Sequence, residues 1–466
     1  MMGELHRIFN SLFKWEKLTF RKSVKWGSYI IGVVILISLL IFISFPDPFI
    51  NSFVRNQIIK GFEKGYPAYT IKLGDMHYNI WKNRLAFDSI TLETRDLSFT
   101  CRVNSFSVSG IGWMKVLLHK DYTTNILTSS VIDAQETDLI FLKSQNYLGL
   151  QKLHISVPDS GMTVDSIKYS PLIHDEQFFA KDKFRQTRFR FDIPKLEIGG
   201  LDFLAFLRGN IYKAKSITLN GVFADILVNM DKPYDINSPN PKMPNEALSS
   251  MTEIIEVDSL RVNNGRLKYC ERYAVRAKPG IITFNKVNVS VKGIKNHLVR
   301  PDTAIINGEG LFMNSGTMKL SMIIPLTSPD FSLRYSGSLS AMDLTNLNTF
   351  LEAGEHHRIK SGFLQSAVYN INVNSGHAIG TLRVIYKDLS IAILNKDTGS
   401  EKGIFNRIMS FFGKVFVIRG TNMPDEKGLM KIGIIKYTRN PDDYFLQFVW
   451  FALRNGVAEV VGFPSK

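Results

Sequence analysis

The chain has 466 residues, 45% hydrophobic and 21% charged, with a formal net charge of +15 at pH 7. That much apolar material excludes a disordered polar chain and leaves room for two or three packed units. Cys101 and Cys270 are far apart and belong to no C-x-x-C, which excludes a disulfide-dense scaffold and a cysteine zinc framework.

Residues 1–25 form a basic arm. Leu5, Ile8, Phe9, Leu12 and Phe13 fall on one helical face, as in a helix lying on the inner membrane surface. Residues 26–45 then run without a charge, close to the ~20 residues needed to cross a bilayer. Arg7, Lys14, Lys17, Arg21, Lys22 and Lys25 precede this run, against only Glu4 and Glu16, so the arm carries +4. The excess of basic residues places the arm in the cytoplasm and the bulk of the chain on the far side. The run is longer than a signal-peptide core and Ser44-Phe45-Pro46 is no small-residue cleavage site, so it reads as an uncleaved anchor. Nucleic acid is a poor partner for so basic a chain in that orientation; anionic headgroups fit better.

Residues 46–65 predict a helix that opens on Asp47-Pro48 and stops at Gly65. From 66 to about 395 short runs of alternating apolar and polar residues follow one another, separated by Gly, Asn, Asp or Ser. Val287, Val289 and Val291 alternate with polar neighbours, as do Met318, Leu320, Met322 and Ile324. The pattern predicts an antiparallel sheet, one face apolar and one wet. The segments around Ser89, Ser166, Ser216 and Ser259 repeat loosely, as in a sheet extended by added hairpins. The Pro- and Asn-rich stretch 232–252 reads as a linker that divides the sheet into 66–231 and 253–395. A short helix is expected within 343–357.

Residues 396–466 change character. Ile404, Phe405, Ile408, Met409, Phe412, Val415 and Phe416 share one helical face, a candidate membrane-surface helix. A strand over 431–439 follows, then a greasier helix over 444–463 with a break near Gly456. Either helix fits a membrane surface or a cap on the end of the sheet.

Motifs for chemistry are sparse. There is no P-loop, no His-Glu-x-x-His and no Gly-x-Ser-x-Gly elbow. Gly308-Glu309-Gly310 reads as a turn, His356-His357 as a solvated loop, and Asp442-Asp443 as helix-cap residues. Tyr66, Tyr69 and Trp81 read as packing or interfacial residues. No catalytic residue, metal or cofactor is indicated, and the chain does not read as an enzyme.

Function then rests on the apolar face. Some twenty strands in one layer would extend about 100 Å, and a bare apolar face of that size cannot stand in water. Either the sheet folds on itself as a sandwich with a dry core, or it curls into a trough that holds acyl chains. The candidate lining positions are Ile217, Leu219, Phe284, Val289, Leu320 and Ile324, then Leu333, Tyr335, Ile371, Val373, Leu382 and Val384.

The whole chain resembles the AsmA-like superfamily of bacterial envelope proteins, which includes TamB and bridge-like lipid-transfer proteins. The likeness lies in the single anchor, the helix ending at Gly65, and the SITLNG (216–221) and SLRVNNG (259–265) strand openings. It continues in the run from Leu333 to Leu394 with its Ser361-Gly362 turn, and in the tail from Tyr437 with Gly456. The resemblance implies a mainly β, elongated antiparallel groove in the periplasm, anchored in the inner membrane by one N-terminal helix and followed by C-terminal amphipathic helices. It implies phospholipid acyl chains as ligand, and transport towards the outer membrane or maintenance of the envelope. The alternative is a scaffold for outer-membrane proteins that offers strand edges as templates.

Overall fold

The computed structural model describes residues 33–37, 55–112, 127–209, 211–297, 302–326, 328, 330–354, 356–394 and 418–462. It is mainly β, with 54% strand and 17% helix. Of the expected anchor, only 33–37 are described, and they are helical. No helix among the described residues is long and apolar enough to cross a membrane. The expected helix over 404–416 lies outside the described residues.

A helix, α1 (Arg55–Gly65), ends at the expected glycine and leads into the sheet. The first strands are β1 (Tyr69–Leu73), β2 (Met76–Asn79), β3 (Arg84–Phe87), β4 (Ile90–Thr94) and β5 (Phe99–Ser109). Then come β6 (Val131–Phe141), β7 (Asn146–Ser156), β8 (Gly161–Pro171), helix α2 (Asp175–Ala180), β9 (Thr187–Gly199), helix α3 (Phe203–Arg208), β10 (Ile211–Asn220) and β11 (Phe223–Asn229). After helix α4 (Pro244–Ser249) follow β12 (Ile254–Arg272), β13 (Gly280–Lys295), β14 (Thr303–Phe312), β15 (Gly316–Pro325), β16 (Leu333–Leu339) and β17 (Met342–Asp343). A 3-10 turn (Leu344–Leu347) and helix α5 (Asn348–Gly354) fill the short helical stretch expected there. The chain continues through β18 (His357–Asn374), β19 (His377–Ile393), β20 (Ile432–Thr438) and helix α6 (Phe445–Val461).

All twenty strands belong to one sheet, and neighbours pair antiparallel except at two pairings, both on β12. β10 and β11 pair in parallel with β12, because 230–253 carries the chain back along the strand length before β12 begins. The Pro- and Asn-rich stretch is therefore a crossover, and the sheet runs through it undivided. Three pairs of strands (β3 with β4, β10 with β11, β16 with β17) lie end to end along a shared neighbour, and β1 and β2 lie end to end along β4 and β3. Twenty strands thus fill sixteen positions, which at ~4.8 Å each span roughly 70 Å, less than the 100 Å expected.

A line of backbone irregularities crosses the strands at mid-length. Gly74 sits against Ser89, where β1 gives way to β2 and β4 succeeds β3. The same line passes Glu136, Ser166, Gly221, Asn264 and Lys286, whose φ values are 49°, 55°, 70°, 51° and 50°. Pairings on either side hold these residues opposite one another from strand to strand. One residue in the left-handed region interrupts the two-residue period and bends the strand. Tyr386 and Leu389, which flank left-handed Asp388, pack in the same cluster although their numbers differ by an odd count. Along the crease the apolar positions change parity in the same way. β7 carries Leu148 and Leu150, then Leu153 and Ile155; β8 carries Met162 and Val164, then Ile167 and Tyr169.

The result is a set of apolar rows at right angles to the strands. One row of cross-strand partners runs Tyr78, Leu85, Val108, Ile132, Ile155, Met162, Ile198, Ile217, Leu260, Val291, Ile306, Met322, Tyr335, Ile371, Gly380, Ile435. A second runs from Met76 and Phe87 through Phe106, Ala134, Leu153, Val164, Leu196, Leu219, Val262 and Val289 to Gly308, Leu320, Gly337, Tyr369, Leu382 and Gly433. Across the crease a third runs Ile71, Leu92, Cys101, Leu139, Leu148, Tyr169, Phe191, Ala224, Leu267, Phe284, Phe312. Gly308 and Gly310, expected in a turn, lie inside β14, where they make room for Val289 and Val287. Cys101 is on this apolar face, while Cys270 packs with Phe179 on the other, so the two thiols are separate and free.

Asn264 tests the crease. Its side chain is exposed and its backbone left-handed. Asn264→Val should lower stability by about 1–2 kcal/mol, read as an earlier urea midpoint, whereas Asn264→Gly should leave it within a few tenths of a kcal/mol.

Candidate functional site

The apolar face is covered unevenly. At its start Ile58 and Ile59 of α1 lie on Leu73, Met76 and Phe87. Phe203 and Leu204 of α3 cover Ile155, Leu153, Met162 and Ile198 near one rim. Over the last third, α4 and α6 fill the face. Phe448 and Ala452 of α6 and Met243, just before α4, join Met322, Ile324, Leu333, Tyr335, Ile371, Val373, Leu382 and Ile435 in one buried core. Val460 and Val461 continue that packing onto Leu364 and Tyr386. Burial pushes the Tyr369 and Tyr386 hydroxyls up to about 12.

The approach of α6 is close because small residues line it. A Cβ on Gly433 would collide with the carbonyl of Gly456, and one on Gly456 would lie 2.7 Å from Ile435 Cγ1 and 3.2 Å from Leu382 Cβ. Gly456 was expected to break the helix. It instead sits inside a continuous helix, as a contact point rather than a break. Asp443 does not cap that helix. Its carboxylate accepts from the Asn440 backbone at 2.9 Å and from the Tyr437 hydroxyl at 2.8 Å, closing the turn before α6. α6 also covers the free edge of β20. Glu459 Oε2 accepts from the Ile434 N–H at 2.5 Å, and Asn455 Oδ1 from the Lys436 N–H at 3.4 Å.

The crossover is fastened to the same end. Arg439 donates to Glu246 Oε1 and to the Pro241 carbonyl, each at 2.7 Å, and Tyr234 donates to the Asp442 carbonyl at 3.2 Å. The cleft beneath, about 520 Å³, is lined by Glu246, Asp330, Phe331 and Arg439. Its charged groups are engaged in holding the crossover. On the sheet's other face, Arg188 and Arg272 are only 4% and 6% exposed in their side chains, and pair with Asp175, Asp225, Glu176 and Asp231. Asp175 and Glu176 belong to α2, so this network clamps α2 to the strands.

Between α1 and α6, from β6 to β13, much of the apolar face has no cover among the described residues. Leu139, Leu148, Tyr169, Phe191, Ala224 and Leu267 are half-buried and belong to none of the packed clusters. Ile217, Leu219, Val262, Phe284 and Val289 share that state. Phe189 is 41% exposed and stacks on Phe191 with ring centroids 6.0 Å apart. Six strand spacings make this stretch roughly 30 Å long. At several rows wide it amounts to several hundred Å², more than monomeric proteins usually leave bare.

All twelve expected lining residues therefore lie on one face, but in two environments. Ile217, Leu219, Phe284 and Val289 are in the uncovered stretch. Ile324, Leu333, Tyr335, Ile371, Val373 and Leu382 are core residues under α4 and α6, with Leu320 and Val384 packed against them. An open lining was expected at those eight positions, and the chain fills it with its own helices. The row Leu139, Leu148, Tyr169, Phe191 was missed by sequence reasoning, and the parity change within β7 and β8 was the signal that marks it. No group of His, Cys, Asp or Glu placed to hold a metal occurs among the described residues. No protein-family model matches the chain, and no curated protein matches its sequence.

Gly456→Ala separates contact from helix propensity. In an exposed helix the change would gain up to ~1 kcal/mol; here overpacking against Ile435 and Leu382 should outweigh that gain, for a net loss of about 1–2 kcal/mol in chemical denaturation.

Proposed function

We propose that this chain is a membrane-anchored, lipid-binding protein whose sheet forms a groove, and that the stretch from β6 to β13 holds phospholipid acyl chains. The uncovered apolar rows carry this reading. An acyl chain needs apolar contact and few polar partners, and each methylene buried there contributes about 0.8 kcal/mol. The rows run across the strands, so a chain lying along them meets the same lining at every strand and slides without passing a polar barrier. The 26–45 segment supplies the anchor, and the basic arm before it orients the groove into the periplasm of a two-membrane envelope. On this reading the protein draws phospholipid from the inner membrane and passes it towards the outer one, which also serves envelope homeostasis. The roughly 30 Å length matches the thickness of one bilayer's hydrocarbon core, so one or two lipids fit at a time.

The scaffold alternative asks for an open strand edge. The β20 edge is engaged by Glu459 and Asn455 of α6, which disfavours strand addition at that end of the sheet.

The full chain, purified in mild detergent and extracted with solvent, should yield phospholipid by mass spectrometry. Phe191→Glu and Leu139→Glu place a carboxylate against the acyl chain without disturbing a buried core. Each should lower bound lipid several-fold while the far-ultraviolet circular dichroism is unchanged. Equal lipid in all three proteins, or none in the parent, contradicts the reading.

A further inference from the structure

We infer that the face beneath α6 is a second, cryptic stretch of the acyl-binding surface, with α6 as its resident occupant. The inference rests on the lipid-binding reading above and extends it to the end of the sheet.

Three observations lead there. The apolar rows do not stop where α6 begins. Beyond β13 one continues as Ile306, Met322, Tyr335, Ile371 and Ile435, in register with the uncovered positions before it. A core built only to seat one helix has no need to keep that register over the whole sheet.

α6 is also apolar over much of its outer side, Arg454 aside. Phe448, Ala452 and Val460 face the sheet, while Leu446, Trp450 and Val457 are 70%, 49% and 41% exposed. A helix that permanently seals a core carries a polar outer face. One largely apolar on its outer side as well loses less when it leaves the sheet.

The third observation concerns its fastening. Gly433 removes a side chain from β20 where the Gly456 carbonyl of α6 comes close, while Tyr369 and Ile371 occupy the space over Gly337 and Gly380. Among the described residues few polar contacts join α6 to the strands, and Arg419 adds two, donating to the Val460 and Val461 carbonyls at 3.3 and 2.8 Å. Glu459 pairs with Lys431 at 2.7 Å and takes the Ile434 N–H, Asn455 takes the Lys436 N–H, and Tyr335 donates to the Val449 carbonyl at 3.4 Å. The Glu459–Lys431 pair is partly exposed, at 32% and 39%, and such pairs hold weakly. The apolar face beneath suits an acyl chain as well as a helix, so lipid and α6 compete for it.

The test uses the full chain in phosphatidylcholine vesicles containing a phosphatidylcholine with a diazirine in its acyl tail. After irradiation, labelled peptides are mapped by mass spectrometry. Gly456→Leu pushes α6 off sterically; Asn455→Ala with Glu459→Ala removes its polar clasps and guards against a misfolded first variant. A lock is made with Lys431→Cys and Glu459→Cys, joined by a short bis-maleimide in a chain carrying Cys101→Ser and Cys270→Ser. Labelling of 139–198 should be equal in all forms and shows that the groove is intact. Labelling of 367–387 and 432–438 should rise at least fivefold in both released forms and fall to background in the lock.

If 139–198 is labelled while the covered strands stay unlabelled in both released forms, α6 covers an ordinary core and the inference is wrong. Equal labelling of the covered strands in wild type and lock also overturns it, because lipid would then reach them past a seated helix. Loss of label from 139–198 in every form removes the lipid reading itself, and this inference with it.

Discussion

A strand that bends sharply and still keeps one apolar face must break its own alternation. This chain does so at a shared line, where Gly74, Glu136, Ser166, Gly221, Asn264 and Lys286 interrupt strand after strand. Without the interruption the apolar residues on one side of the line would point to the wet face, because a shift of one residue exchanges the two faces. With it, Leu150 and Leu153 serve one surface, as do Val164 and Ile167. The left-handed conformation is costly for residues with a side chain, yet Glu136, Ser166, Asn264 and Lys286 all accept it. The continuous rows and the cover over one end of them follow from that concession.

The second constraint is how the apolar rows are shielded from water. The described residues hold too little helix to cover sixteen strand positions. Of the helices that meet the sheet, the largely apolar α6 lies on the last third and α1 on the first positions. The middle keeps half-buried Tyr169, Phe191, Leu139 and Leu148 with no covering helix among the described residues. Two halves of one face, in the same register, thus have different occupants. In one, Phe448 and Ala452 supply the contacts. In the other, the proposed acyl chains do. The crossover between β11 and β12, fastened by Arg439 to Glu246, ties the covered end to the middle of the sheet.

Much of the strand content was legible in the sequence. The alternation of Val287, Val289 and Val291, and of Met318, Leu320, Met322 and Ile324, reports local geometry, and β13 and β15 fall where it predicts. Gly65 ended its helix for the same local reason. What the alternation does not report is what faces it across space. Leu219 and Leu382 carry the same pattern, but only tertiary contact makes one half-exposed and the other core. The error at Gly456 has the same origin, since a glycine chosen for close approach to Ile435 looks, in one dimension, like a helix breaker. Gly308 and Gly310 resembled a turn because glycine marks both a reversal and a site where a neighbour's side chain needs room. The crossover was hidden because its prolines and asparagines describe a loop, not the two parallel strands it joins.

The central claim is that the middle of the apolar face is covered by lipid and not by protein. It is tested most directly by thiol accessibility at Leu148→Cys in a full chain lacking the two native cysteines. A polar maleimide should react with it readily after delipidation in detergent, and at least tenfold more slowly after phospholipid is restored. A thiol that is equally unreactive in both states would mean that the chain's own side chains fill that surface, and would contradict the account.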